Sequence, residues 1–160
     1  MYDLSKDRIL IVDDEPDNLE VLKATLELLY GASVKTVLGG EEALDSLPTF
    51  KPTVIVTDLS MPKIDGYALL NRIRQNPETA PLPVIVLSAH AMNGDRERVL
   101  AAGFDGYISK PFDVVALGGN LIACLEQLPA QRGPQKASVG AASSGNTLEN
   151  KPSEGSSGIK

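Results

Sequence analysis

Residues 8–15 read Arg-Ile-Leu-Ile-Val-Asp-Asp-Glu, four bulky apolar residues running straight into three acids. A continuous Val/Ile/Leu run this short suits a strand covered on both faces, the pattern of a parallel sheet. Four more runs follow at 33–38 (SVKTVL), 53–57 (TVIVT), 83–87 (PVIVL) and 106–109 (GYIS). The 33–38 run alternates and suits an edge strand. Helical patterns separate the runs. The first spans 16–30, with Leu19, Leu22, Leu26 and Leu29 on one face and Gly31 as its stop. Others span 41–47, ended by Pro48, then 65–75, 95–102 and 113–128, the last with Asp113 as N-cap. Strand and helix alternate five times, which predicts an α/β fold: a (βα)₅ three-layer sandwich around a parallel sheet of flavodoxin-like order 2-1-3-4-5.

Such sheets bind their ligands at the carboxyl ends of the strands, at the switch point between strands 1 and 3. Asp13, Asp14 and Glu15 follow the first strand, and Asp58 follows the third. Ser88 and Ala89 end the fourth, and Lys110 and Pro111 the fifth. Three carboxylates in one crevice repel: two unit charges ~4 Å apart interact by about 4 kcal/mol at an effective dielectric near 20. Asp14 or Glu15 alone could serve as a helix cap. Asp residues from two separate strand ends instead predict an all-oxygen cation site suited to Mg²⁺, built on Asp13, Asp14 and Asp58. Asp58 can then act as a nucleophile toward phosphorus. Lys110 offers a point charge and Ser88 a hydroxyl donor to the phosphoryl oxygens.

Composition narrows the remaining classes. The chain has 160 residues, 42% of them hydrophobic, and a net charge of −6. Residues 129–160 hold five Gly, six Ser, three Pro and four Ala, with only Val139, Leu148 and Ile159 bulky and apolar. That stretch is expected to be a disordered tail, and residues 1–128 the folded domain. The tail carries four basic and two acidic residues, leaving eleven basic against nineteen acidic in residues 1–128, a net of −8. This balance argues against nucleic acid as a partner. The single cysteine, Cys124, excludes an internal disulfide and is assigned with Leu121, Leu125 and Leu128 to the core. No segment has the length or polarity of a bilayer span or a secretion signal, so a cytoplasmic protein is expected.

Taken together, Asp13-Asp14, Asp58 with Met61-Pro62 and Gly66 behind it, Ser88-Ala89, and the run Tyr107 to Pro111 resemble response-regulator receiver domains, the CheY-like family of two-component signalling. The resemblance covers about residues 8–128. It implies a phosphorelay switch rather than an enzyme with a turned-over substrate. Asp58 would accept the phosphoryl group from a histidine kinase or histidine phosphotransfer protein. Asp14, Asp58 and the Ser60 carbonyl would bind Mg²⁺ directly, and Asp13 through water. Ser88 and Tyr107 would be the switch pair, Lys110 would bridge to the phosphate, and the Lys110–Pro111 bond would be cis. Residues 89–94 (AHAMNG) and 105–107 (DGY) are similar to single-domain regulators and hybrid-kinase receivers, so output is expected through an unidentified downstream protein.

A Mg²⁺-dependent hydrolase of haloacid-dehalogenase type is the competing class. It needs an acid two residues after the nucleophile, where this chain has Ser60. A degenerate receiver that only binds partners would lack Asp58 or Lys110, and both are present. His90, the lone histidine, is either an exposed loop residue or a modulator of water access. Gly118-Gly119 departs from the pattern by placing two glycines inside the last helix, at about 1 kcal/mol each relative to alanine. The pair is either a tolerated weak spot or a place where a partner approaches closely.

Overall fold

A computed structural model describes residues 2–88, 95–110 and 113–128. The strands are β1 (Arg8–Val12), β2 (Ser33–Val37), β3 (Val54–Thr57), β4 (Val84–Ser88) and β5 (Gly106–Ser109). The helices are α1 (Pro16–Tyr30), α2 (Gly40–Phe50), α3 (Gly66–Gln75), α4 (Asp95–Ala102) and α5 (Val114–Glu126). All strands pair in parallel in the order β2-β1-β3-β4-β5, the expected flavodoxin-like sheet with β2 at one edge.

The continuous runs have a simple cause. Successive strand residues point to opposite faces, and each face carries its own core. Ile9, Ile11, Val54, Val56, Ile85 and Leu87 join α1 and α5 in one cluster. Leu10, Val12, Ile55, Val84 and Val86 join α2, α3 and α4 in the other. With both faces covered, the central strands β1, β3 and β4 are almost wholly apolar until their ends, whereas the edge strand β2 alternates and exposes Lys35.

Several expectations change. Pro48 does not end α2, which runs on to Phe50 and stops at Lys51 in the left-handed region, whose N–H donates to Leu47 O. Proline removes the N–H that would bond the Leu44 carbonyl, but its φ is compatible with the helix, and the last turn still closes through the Lys51 N–H. Leu29 is exposed, while Thr25 joins Leu19, Leu22 and Leu26 on the buried face of α1. The apolar spacing was extended one residue too far around the helix. β4 begins at Val84 rather than Pro83, and runs to Ser88, the fully buried serine expected at its end. Leu38 lies outside β2 and is exposed.

Cys124 is half-buried and packs on the α1/α5 cluster, and burial raises its thiol pKa against a hydrogen bond with the Tyr107 backbone and the charge of Arg96, which lower it. Gly118 is packed within the domain. A Cβ there would lie 2.0 Å from the Tyr30 ring of α1, whereas Gly119 has nothing within 4 Å. Close approach of α1 to α5 explains the first glycine and not the second. The N-terminus is also more ordered than its polarity suggests. A 3₁₀ turn at Leu4–Lys6 buries Leu4, and Asp7 is buried where it accepts from the Thr53 and Tyr2 hydroxyls. Ala89, His90, Pro111 with its peptide bond, and the 129–160 tail fall outside the described residues.

Candidate functional site

Parallel register sets the site. Val12 pairs with Thr57, so the next residue of each strand, Asp13 and Asp58, emerges at the same level. The Asp58 N–H donates to Val12 O at 3.0 Å, and the Asp13 N–H to Val37 O at 3.2 Å, which tie both acids to the sheet. Ser88 pairs with Ser109 across β4 and β5, and the Lys110 N–H donates to Ser88 O at 2.7 Å. Lys110 is thereby placed beyond the sheet edge with its chain directed back across it.

The ammonium lies between the two aspartates. Lys110 Nζ donates to Asp13 Oδ2 at 2.9 Å and to Asp58 Oδ2 at 3.4 Å. Burial alone would lower the Lys110 pKa, but its hydrogen bond to Asp13, the Asp13 charge and then Asp58 outweigh it, and the net shift is upward. The ammonium is held charged. Asp13 is only 1% exposed and is further fixed by the Glu15 N–H on Oδ1 at 3.0 Å. Asp58 Oδ1 accepts from the Leu59 N–H at 2.7 Å. Asp14 is exposed at the mouth.

Asp13, Asp14 and Asp58 each present a carboxylate oxygen within 4.8 Å of the others. Three carboxylates against one lysine leave an excess of negative charge, and all the donors are hard oxygens. Both features fit Mg²⁺. Ser60 is exposed next to this cluster and, with Asp14, lines a cleft of about 700 Å³ that continues past Met61 to Tyr67, Val99 and Arg98. Tyr107 lies half-buried on β5 against the α2/α3/α4 cluster.

Sequence reasoning missed Asn18. Its amide donates to Glu15 Oε1 at 2.7 Å and to Asp13 Oδ2 at 3.4 Å, linking the first turn of α1 to the cluster. The signal was present, because Glu15 and Asn18 are one helical turn apart. Glu15 occupies the N-cap position of α1 but makes no side-chain cap. The loop after β3 also carries a non-glycine residue in the left-handed region, Lys63 at φ 69°, which sequence reasoning did not anticipate.

Comparison with known proteins agrees with this geometry. The family model for the response regulator receiver domain matches residues 9–121. The chain belongs to the response-regulator receiver family. An uncharacterised 14.6 kDa protein of Leptolyngbya boryana is 39% identical over 117 residues, which cover 73% of this chain and 88% of that protein. Response regulator Rre1 of Synechocystis is 35% identical, with 82% of this chain but only 58% of the relative covered. The chain thus spans little more than half of that longer regulator. Among solved structures, the receiver domain of a Pseudomonas aeruginosa sensor histidine kinase, which has a magnesium ion coordinated in its active-site cleft, matches with a TM-score of 0.66 and 35% identity, covering 76% of this chain and 98% of that one. As a receiver, this chain is part of two-component signalling. Among the described residues no helix is long and apolar enough to cross a membrane.

Proposed function

We propose that this receiver accepts a phosphoryl group on Asp58 from the phosphohistidine of a histidine kinase or histidine phosphotransfer protein, and thereby changes its affinity for a downstream protein. The observation that carries the reading is the placement of Lys110 Nζ between Asp13 and Asp58 at the rim of a three-carboxylate cluster.

Asp13, Asp14, Asp58 and the Ser60 carbonyl would hold Mg²⁺, which when bound neutralises charge on the phosphoryl oxygens. The Asp58 carboxylate attacks phosphorus as the P–N bond of the donor breaks, and the imidazole nitrogen takes up a proton. The Leu59 N–H on Oδ1 fixes the carboxylate plane, which favours attack through the other oxygen. Lys110, held charged, is placed to pair with the new phosphoryl oxygens. Ser88 on β4 and Tyr107 on the neighbouring β5, two residues apart in register, are the pair that would report the change toward the α4–α5 side. Position 60 presents a serine instead of a carboxylate, so Asp58 stores the group rather than turning it over, and the protein acts as a switch rather than a hydrolase. The acidic domain supports a protein partner over nucleic acid.

Incubation with acetyl phosphate and Mg²⁺, followed by intact-mass measurement, is expected to add one phosphate to the parent and none to Asp58→Asn. Full labelling of the variant would refute the assignment.

A further inference from the structure

We infer that Gly40, at the start of α2, is a positioning residue for the Asp58 site, acting through Ile64; the inference rests on the phosphoacceptor reading above. Gly40 is buried, is the first residue of α2 and supplies no side chain to the cluster. A Cβ built on it would stand 2.8 Å from both Cβ and Cγ2 of Ile64, and 3.1 Å from the Ile64 carbonyl oxygen. Two of these atoms belong to a β-branched side chain with little χ1 freedom, and the third is backbone. The absent methyl lets the loop after β3 lie directly on the first turn of α2.

That loop has little freedom to yield elsewhere. The Ile64 N–H donates to Pro62 O at 2.8 Å across Lys63 at φ 69°, a γ-turn of the rarer left-handed sign. The Gly66 N–H closes on Leu59 O at 2.8 Å. A Cβ on Gly66 would meet Asp58 O at 2.6 Å and Leu59 Cα at 2.9 Å, so the loop's far end is packed against its own start. Displacing Ile64 away from Gly40 therefore works against the γ-turn on one side and the Gly66 closure on the other. The displacement passes to residues 59–62, which contain Ser60 and the Leu59 N–H that aims Asp58. Gly39 provides the control, since a Cβ there meets nothing within 4 Å.

The test compares Gly40→Ala, Gly39→Ala, Ile64→Gly and the double variant Gly40→Ala/Ile64→Gly. Each is measured for labelling rate with acetyl phosphate, Mg²⁺ affinity by calorimetry, and melting temperature. Gly40→Ala is expected to label about tenfold more slowly, or worse, and to bind Mg²⁺ more weakly while still unfolding cooperatively. Gly39→Ala is expected to match the parent. Ile64→Gly, which loosens the same contact from the other side, also slows labelling, and adding Gly40→Ala to it brings no further loss. This lack of a further loss separates positioning from general destabilisation. If Gly40→Ala fails to fold, Ile64→Gly decides alone: parent-like labelling and Mg²⁺ affinity overturn the inference. A labelled parent with an equally labelled Gly40→Ala sinks the inference alone, whereas a parent that takes no label sinks the phosphoacceptor reading and the inference with it.

Discussion

Removing Lys110 tests whether its ammonium holds the acid cluster together. Lys110→Met keeps most of the aliphatic stem and deletes the charge 2.9 Å from Asp13 and 3.4 Å from Asp58. Asp13 is almost fully buried, and its other contacts, the Glu15 N–H and the Asn18 amide, carry no formal charge. Breaking a buried pair by removing one partner costs about 3–5 kcal/mol, because the remaining charge is left uncompensated. At about 4 °C per kcal/mol for a domain of this size, the melting temperature should fall by roughly 12–20 °C in Mg²⁺-free buffer. Two features then separate this cause from lost packing. Asp13→Asn in the Lys110→Met background should recover much of the loss, with a coupling above about 1 kcal/mol. Saturating Mg²⁺ should raise the melting temperature of Lys110→Met more than that of the parent, because the cation enters a site freed of its internal counter-charge. The assay is thermal unfolding by circular dichroism, with and without Mg²⁺. A drop of a few degrees, unaltered by Asp13→Asn and by Mg²⁺, would show that Lys110 merely covers the site and would refute the electrostatic argument.

Two further predictions concern stability. Gly118→Ala gains about 1 kcal/mol of helix propensity but drives a methyl into the Tyr30 ring, and overpacking costs about 1–3 kcal/mol, so it should melt below Gly119→Ala, which takes the gain without the clash; equal stabilisation by both would refute the α1–α5 contact. Burial raises the Asp7 pKa above 3.8 against the Thr53 and Tyr2 hydrogen bonds, with Asp3 adding to the rise. The folded state then keeps this proton to higher pH than the unfolded chain, so Asp7's contribution is most favourable below the ordinary carboxylate value and is lost as pH climbs above it. Asp7→Asn should remove that decline, gaining on the parent as pH rises above the ordinary carboxylate value in paired melting curves; a difference that does not change with pH would count against the buried acid.

The central strands β1, β3 and β4 were legible because burial on both faces leaves almost only apolar residues, and β2 because an edge strand alternates, patterns that need no knowledge of the neighbours. Asp13, Asp58, Ser88 and Lys110 were legible as polar groups at the carboxyl ends of the strands. Helix ends were read less well. Pro48 was taken as a stop because local sterics disfavour proline inside a helix, yet its fixed φ is a helical one, and the chain goes on for two more helical residues before Lys51 turns left-handed. Leu29 was placed inside because periodicity gives a stripe without its edges, and the edges depend on where α5 lies.

Sequence alone specified the layers, the strand order and which acids face one another, since all of these follow from period, chirality and register. It could not specify contacts between atoms far apart in the chain. Lys110 and Asp13 are 97 residues apart, yet their 2.9 Å ion pair exists because β4 and β3 stand between their strands at a fixed spacing. The roles of Gly118 and Gly40 likewise depend on Tyr30 and Ile64 arriving where a Cβ would have been. A glycine in a helix is a weakness by propensity alone, and only packed neighbours turn the missing methyl into a fitted contact.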